Sequence, residues 1–498
     1  MSDIREKANK IKNILFILFS AISLSISYNF NVSILGWLAL IPLFYSLKNE
    51  TKFKKIIFIS FSFGSIFYIQ ALYWIIPTLQ AGGVNIFLSI FALLLLSLTM
   101  SLEFIFIFAL PFYFNHFGCP AWSLTMASSW TLIEFLKIQI NKFAVWFPWF
   151  SLAYTQNNNL MPYTYYVGIY GITFIMVLFQ ASIAYSIEER KKTTLKIILF
   201  SLFVISSSYL SKKLVLNSPS QEKIKIAIIQ PSVDYYKKWD LNYFNEIKKD
   251  IETLISSLED KRIDLVIWPE NALPGWIDDK DVFSWLVKLV KKTKAYHIVG
   301  SVSRIDGKHV SAFLISPDGE IIQEYNKRIL VPFGEYVPLR NFLARYIDTI
   351  GKLGEFESGN ENQDLFKIKN FKVGISICYE SIFDFIFRNE KENGADFFVN
   401  ITNDGWYLNT RAPWQHLTAA SFRASENGIY LARAANNGIS AFISPEGKIL
   451  EKTSLNEKTI IIKEISKTNN KNTGVFKYSF IYLSLIIIFS LIIARIIL

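Results

Sequence analysis

The sequence predicts a chain of two parts, a bundle of membrane-spanning α-helices followed by a layered α/β domain, with one further span after it. Three observations carry this. Over 498 residues the composition is 51% hydrophobic and 16% aromatic against 19% charged, too apolar for an ordinary soluble chain. The apolar residues are concentrated, because stretches long enough to cross about 30 Å of hydrocarbon recur through the first 215 residues. From about residue 222 the pattern changes to short β-branched runs alternating with charged amphipathic stretches, as α/β layers require.

The helical part, 1–215, holds about seven expected spans, at 13–30, 31–47, 56–78, 85–115, 121–138, 160–187 and 194–211, and another is expected within 474–498, at 476–497. Arg5, Lys7, Lys10 and Lys12 before the first apolar core give it the look of a signal peptide, but six more spans follow, so a retained helix is expected. The net charge of +11 does not point to nucleic acid, since the lysines fall in short loops between spans. The basic N-terminal region, "KNETKFKK" (48–55) and "EERKKTTLK" (188–196) are separated by even numbers of spans and lie on one side, the cytoplasm by the positive-inside rule. The loops 78–85 and 140–159 then face outward, and an odd seventh span delivers the polar domain to the outside. Within the spans, Glu103 is costly, whereas Glu134 and Lys137, three residues apart, are expected to satisfy each other. Cys119 falls on the expected cytoplasmic side, so it does not pair with Cys378.

The polar domain, 222–466, is expected to place strands at 223–233, 263–270, 295–304, 311–320, 371–380 and 395–404 and helices at 242–261 and 281–294. Three polar residues sit at or just past the ends of such runs. Glu270 follows "LVIWP", Cys378 follows "VGISI", and Lys327 lies in "QEYNKRILVPFGEYVP" (323–338), which reads as an ordered loop. Alternation along the strand sets Val373, Ile375 and Ile377 on one face and Gly374, Ser376 and Cys378 on the other. A thiolate nucleophile, a carboxylate to take its proton and an ammonium to stabilise anions form a working set for acyl chemistry. Each residue alone has a plainer reading, a packed cysteine and two solvated charges; Glu335 and Glu380 are surface residues by the same prior. The four histidines show no metal-ligand spacing, so no metal site is expected.

"WPE" (268–270), "NKRILVPFGEYVP" (326–338) and "ICYE" (377–380), in that order, resemble the Glu-Lys-Cys triad of the nitrilase superfamily. Joined to the multispan N-terminal half and the C-terminal span, and with "KWD" (238–240), "FPW" (147–149), "NDGWY" (403–407), "PWQH" (413–416) and "NNGIS" (436–440), they resemble the apolipoprotein N-acyltransferase family of diderm bacteria. The resemblance implies a nitrilase-like αββα domain facing the periplasm, on an inner-membrane enzyme that works as a monomer without a cofactor. It implies transfer of an acyl chain from a phospholipid, through a cysteine thioester, to the α-amine of the S-diacylglyceryl cysteine of apolipoproteins, the last step of lipoprotein maturation. Glu270 would be the general base, Lys327 the electrostatic stabiliser and Cys378 the nucleophile. Glu335, Tyr379 and Glu380 would support them, and Trp239 would touch substrate. One stretch departs from the family, which tends to carry "YNS" or "YNT" where this chain has "HVSAFL" (309–314), so an asparagine contact there is in doubt. Two rivals remain: a membrane-tethered amidohydrolase, for which eight spans have no use, and a transporter or scaffold, against which the three residues count.

Overall fold

The computed structural model describes residues 2–141, 146–156, 160–187, 219–238, 241–304, 306–338, 340, 356–468 and 478–497. The chain divides into two compact units, Met1–Val215 with Thr473–Leu498, and Leu216–Asn472.

The first unit is helical: α1 (Ser2–Phe30), α2 (Ser33–Leu38), α3 (Ile41–Lys48), α4 (Phe53–Ala71), α5 (Ile75–Ala81), α6 (Ile86–Phe114), α7 (Cys119–Ile140), α8 (Thr164–Ser186) and a C-terminal helix, Ser479–Ile497. Among the described residues, Lys10–Phe30, Ile86–Phe114, Met161–Ser186 and Ser479–Ile497 are long and apolar enough to cross a membrane. A fifth candidate, α4 with α5, is bent by 48° at its break. Pro77 explains why the expected span 56–78 is not continuous: it has no N–H for the carbonyl of Tyr73 and its ring crowds that oxygen. The stretch expected as one span at 31–47 is two short helices, the second carrying Pro42 in its first turn. The 22 residues of α7 rise about 33 Å, enough to cross, although Ser, Thr, Glu134 and Lys137 dilute its apolar character. The expected span 194–211 lies outside the described residues.

The buried charges in this unit do not pair as the helical spacing suggests. Lys137 reaches across to Glu103 on α6, 3.7 Å away, rather than to Glu134. Glu103 also accepts hydrogen bonds from the Tyr68 hydroxyl and, at 3.2 Å, from Trp146 Nε1. Glu134 accepts from Trp130 Nε1 (3.1 Å), Ser151 Oγ (2.8 Å), the Leu152 amide (2.8 Å) and Thr173 Oγ1 (2.9 Å). A buried carboxylate needs most of its lone pairs filled, and one lysine a turn away cannot do that.

The second unit is an α-β-β-α sandwich. Its strands are β1 (Pro219–Gln230), β2 (Leu265–Ile267), β3 (Tyr296–Ser303), β4 (His309–Ile315), β5 (Ile321–Asn326), β6 (Phe366–Ile368), β7 (Phe371–Ile377), β8 (Phe397–Thr402), β9 (Leu431–Ala435), β10 (Ala441–Ile443), β11 (Ile449–Lys452) and β12 (Thr459–Thr468). They form two six-stranded sheets, β12-β1-β2-β3-β4-β5 and β11-β10-β9-β8-β7-β6. The middle pairs β1–β2–β3 and β7–β8–β9 are parallel, and antiparallel strands flank them. Period-2 alternation builds the layers: Ile226 and Ile228 point between the sheets with Val373, Ile375, Val399 and Ala432, while Ala227 and Ile229 point outward. There they meet α9 (Phe244–Ser256) through Ile247, Ile251 and Ile255, and α10 (Lys280–Thr293) through Val282, Leu286 and Leu289, apolar at three- and four-residue spacing. The other sheet carries α11 (Asp384–Glu392) and α12 (Ala412–Asn427).

One core contact fixes a protonation state and hence a pH dependence. Trp268 Nε1 donates to His297 Nδ1 at 2.9 Å, so that nitrogen is a bare acceptor and the ring is neutral, its Nε2–H facing Thr293 Oγ1 at 2.8 Å. Burial accordingly lowers the His297 pKa to about 3. Between pH 6.5 and 3 the unfolded chain binds a proton here that the folded chain does not, so stability falls as pH falls, by about 1.4 kcal/mol per unit. Denaturation of the detergent-solubilised protein should show the gap between wild type and H297Q shrinking at that rate from pH 6.5 downward. A gap that stays constant with pH contradicts the assignment.

Candidate active site

Three strand ends of the second unit converge. Glu270 stands three residues past β2, where Pro269 cannot continue the ladder. Its backbone passes so close to β3 that a Cβ on Gly300 would lie 2.3 Å from the Pro269 carbonyl oxygen, which is why a glycine stands there. Lys327 is the first residue after β5, its amide donating to the Val310 carbonyl (2.9 Å) and its carbonyl accepting from Gly359 (2.8 Å). Cys378 is the first residue after β7 and heads the turn Cys378–Ile382 with φ +52°. The left-handed region costs a side-chain-bearing residue about 1–2 kcal/mol, and the bend corrects the alternation expected along 371–380. Cys378 leaves the strand pleat and joins Ile375 and Ile377 on the inter-sheet side, only 8% exposed.

Lys327 Nζ lies 3.4 Å from Glu270 Oε1 and 2.5 Å from Glu335 Oε1, and its side chain is wholly buried. Glu270 Oε2 accepts the Asn403 amide at 2.8 Å, and Glu335 Oε2 accepts the Val331 amide at 2.8 Å. Burial works against the Lys327 ammonium, but the Glu335 and Glu270 carboxylates and the Cys378 sulfur reverse it, and its pKa rises above the ordinary lysine value. Burial, with the carboxylate at Glu270, pushes the Cys378 thiol well above its usual range; Lys327 pulls the other way. The resting sulfur is therefore a thiol that needs a base. Burial also raises the Glu335 carboxyl, with Lys327 opposing.

Glu380 is no surface residue. Fully buried, it accepts from the Ile377 amide (2.7 Å), the Arg328 amide (2.6 Å), the Ile329 amide (3.2 Å) and the Tyr325 hydroxyl (2.9 Å). One carboxylate thus ties the backbone beside Lys327 to the backbone beside Cys378. Tyr379 is buried edge-on against Phe383, ring centroids 5.1 Å apart. Trp239 lies outside the described residues. In the departing stretch, the Val310 side chain packs in the inter-sheet core, so β4 offers the site a backbone carbonyl rather than an asparagine.

Several residues near these groups were not singled out by their chemistry from the sequence. Lys238 is buried, and burial lowers its pKa to about 7 against the pull of Glu270. Tyr407 is half-buried, and its hydroxyl pKa is raised by desolvation and by Cys378, Asp404 and Glu270. Behind Cys378 stand Asp404, His416 and Arg433, fully buried and mutually bonded. "NDGWY" and "PWQH" contain three of these positions, Asp404, Tyr407 and His416, without announcing a role. A buried thiol, a carboxylate and an ammonium held by two carboxylates can form and break an acyl–sulfur bond.

Comparisons with known proteins find matches to both units. Residues 225–471 match the family described as carbon-nitrogen hydrolase, and residues 20–182 match that described as apolipoprotein N-acyltransferase N-terminal domain. The apolipoprotein N-acyltransferase of Wigglesworthia glossinidia brevipalpis is 31% identical over 459 residues, 89% of each chain. That of Haemophilus influenzae is 30% identical over 456 residues, covering 88% of this chain and 85% of its own. That of Geobacter metallireducens is 33% identical over 335 residues, 64% of each. With identity of this level sustained through the helical unit and the sandwich alike, the chain belongs to the apolipoprotein N-acyltransferase family.

Proposed function

We propose that the chain is a bacterial inner-membrane enzyme that moves an acyl chain from a phospholipid to the α-amine of an S-diacylglyceryl cysteine at the N-terminus of apolipoproteins, with Cys378 as acyl carrier and its sandwich domain in the periplasm. The observation that carries this reading is the meeting of Glu270, Lys327 and the neighbourhood of Cys378 at strand ends, in a chain whose other unit has helices of membrane-crossing length. Glu270 takes the thiol proton as Sγ attacks the donor ester carbonyl, Lys327 stabilises the oxyanion, and collapse expels a lysophospholipid alkoxide that recovers the proton from Glu270. The acceptor amine then attacks the thioester, Glu270 takes its proton, and the Cys378 sulfur leaves and recovers that proton from Glu270, which restores the thiol and the base. Glu335 holds the Lys327 ammonium in place, and Glu380 fixes the backbone on both sides of the site. Trp239 is assigned to substrate contact by resemblance. The enzyme works as a monomer without a cofactor. A hydrolase of small amides would use the same three residues, but a diacyl donor resident in the bilayer gives the helical unit a purpose that such a substrate does not.

The test is to incubate the purified protein with phospholipid carrying a labelled acyl chain and weigh it. An acyl adduct on Cys378 is expected, discharged by a diacylglyceryl-cysteine peptide as N-acylated peptide. Release of the label only as free fatty acid sinks the transferase reading in favour of the hydrolase.

A further inference from the structure

The carbonyl of Cys378 is itself bound. His416, on α12, faces it with Nε2 at 2.9 Å, and since a carbonyl only accepts, Nε2 carries a proton. The other ring nitrogen, Nδ1, lies 3.0 Å from Arg433 Nη2 and 3.0 Å from Asp404 Oδ1. A guanidinium only donates, so the neutral ring turns a lone pair toward Arg433 and keeps its proton on Nε2. Asp404 does not need that proton, because Oδ1 accepts from Thr402 Oγ1 (3.0 Å) and Oδ2 from Arg433 Nη2 (2.8 Å). Burial and Arg433 lower the His416 pKa, with Asp404 opposing, which agrees with a neutral ring. The Asp404 carboxyl, pushed up by burial, is held down at about 2 chiefly by Arg433, so the pair is ionised and balanced.

Arg433 is fixed in turn. Ser376, Asn400 and Arg433 are register partners across β7, β8 and β9; Arg433 Nη1 donates to Asn400 Oδ1, and Asn400 Nδ2 donates to Ser376 Oγ at 3.0 Å. A cross-strand polar ladder therefore ends on the peptide of the residue whose φ is +52°.

We propose that His416, its tautomer set by Arg433 and Asp404, is a positioning residue for acyl transfer: its Nε2–H holds the Cys378 peptide in the left-handed turn that aims the sulfur at Glu270 and Lys327. This rests on Cys378 being the acyl carrier. Without that donor the carbonyl keeps only the bond of its own 3-10 turn and loses the tether to α12, the turn relaxes toward ordinary φ, and the thiol swings from its partners. A displacement of about 1 Å at a reacting atom is worth about 10²-fold in rate.

The test compares H416Q, whose amide nitrogen replaces Nε2, with H416N, whose shorter amide replaces only Nδ1, in the full-length protein in detergent. Two rates are read: thioester formation from phospholipid, and alkylation of Cys378 by iodoacetamide, which needs no lipid. H416N is expected to lose about 10²-fold in thioester formation and to alkylate measurably slower, while H416Q keeps most of both with an unchanged Tm. Wild-type rates in H416N, or a folded H416Q as slow as H416N, overturn the proposal. In the unmodified protein, ¹⁵N-histidine spectra at pH 7 read the tautomer without any variant: a bare Nδ1 is expected, and a bare Nε2 overturns it. Failure of the acyl-carrier reading is separately visible, since C378S would then still transfer acyl chains whatever H416N does to alkylation.

Discussion

Replacing Cys378 by alanine should abolish acyl transfer, with turnover falling by about 10⁴-fold or more, as when a covalent nucleophile is removed from a site that acts as a unit. The sulfur is the group that would carry the acyl chain between donor and acceptor, and Glu270, 3.4 Å from Lys327, is a carboxylate placed to deprotonate rather than to replace it. Cys378→Ser should fare nearly as badly. The thiol is already raised by burial and by Glu270, and a hydroxyl starts several units higher, beyond what the same base can activate. Mass spectrometry of a diacylglyceryl-cysteine peptide incubated with the variant in phospholipid vesicles checks this, and no N-acylated product should form. Stability should barely change, because alanine fills most of the site and keeps the backbone bonds of the turn, so a melt within a few degrees of wild type separates lost chemistry from lost fold. Substantial product from folded C378A would end the acyl-carrier reading.

The helical half, the strands on either side of the cleft and the strand-end placement of Glu270, Lys327 and Cys378 were legible because each rests on a pattern within one short window. What was missed depends on partners far apart in the chain. The charge pair expected between Glu134 and Lys137 gave way to Lys137–Glu103 because helix packing, not helical spacing, decides which buried charges meet. β5 was absorbed into a loop because Ile321 and Ile322 are exposed on an edge strand and offer no alternation. Helix α12 gave no amphipathic signal since all but one of its residues are buried, polar ones included, which erases the stripe that periodicity detects. Glu380 and His416 then look like surface residues in sequence, yet each ends on the backbone of the Cys378 turn. The φ of Cys378 itself is set by that turn and is invisible in "KVGISICYES", where alternation alone put the thiol on the wrong face.

Lys327→Met should lower turnover by about 10³-fold, the scale of removing a preorganised oxyanion donor from a water-poor site, and should also destabilise the fold. Methionine nearly matches the volume of the lysine stem, so packing is not the cause. The ammonium at 2.5 Å from Glu335 and 3.4 Å from Glu270 is wholly buried, and removing it leaves two carboxylates without their shared cation, a loss of roughly 3–5 kcal/mol at a buried pair. Glu335, already raised by burial and lowered chiefly by Lys327, would rise further and take up a proton on folding. An acid whose folded pKa lies above its unfolded one favours the folded state at low pH and loses that advantage as pH rises through the folded pKa. The stability deficit of K327M should therefore shrink toward acid pH. The two effects come apart in the double variant K327M/E335Q. Its glutamine carries no charge and keeps an oxygen for the Val331 amide that now donates to Glu335 at 2.8 Å, so melting should return toward wild type while transfer stays about 10³-fold down. If transfer returned with the melting temperature, Lys327 would be a structural counter-ion and the oxyanion would need another donor.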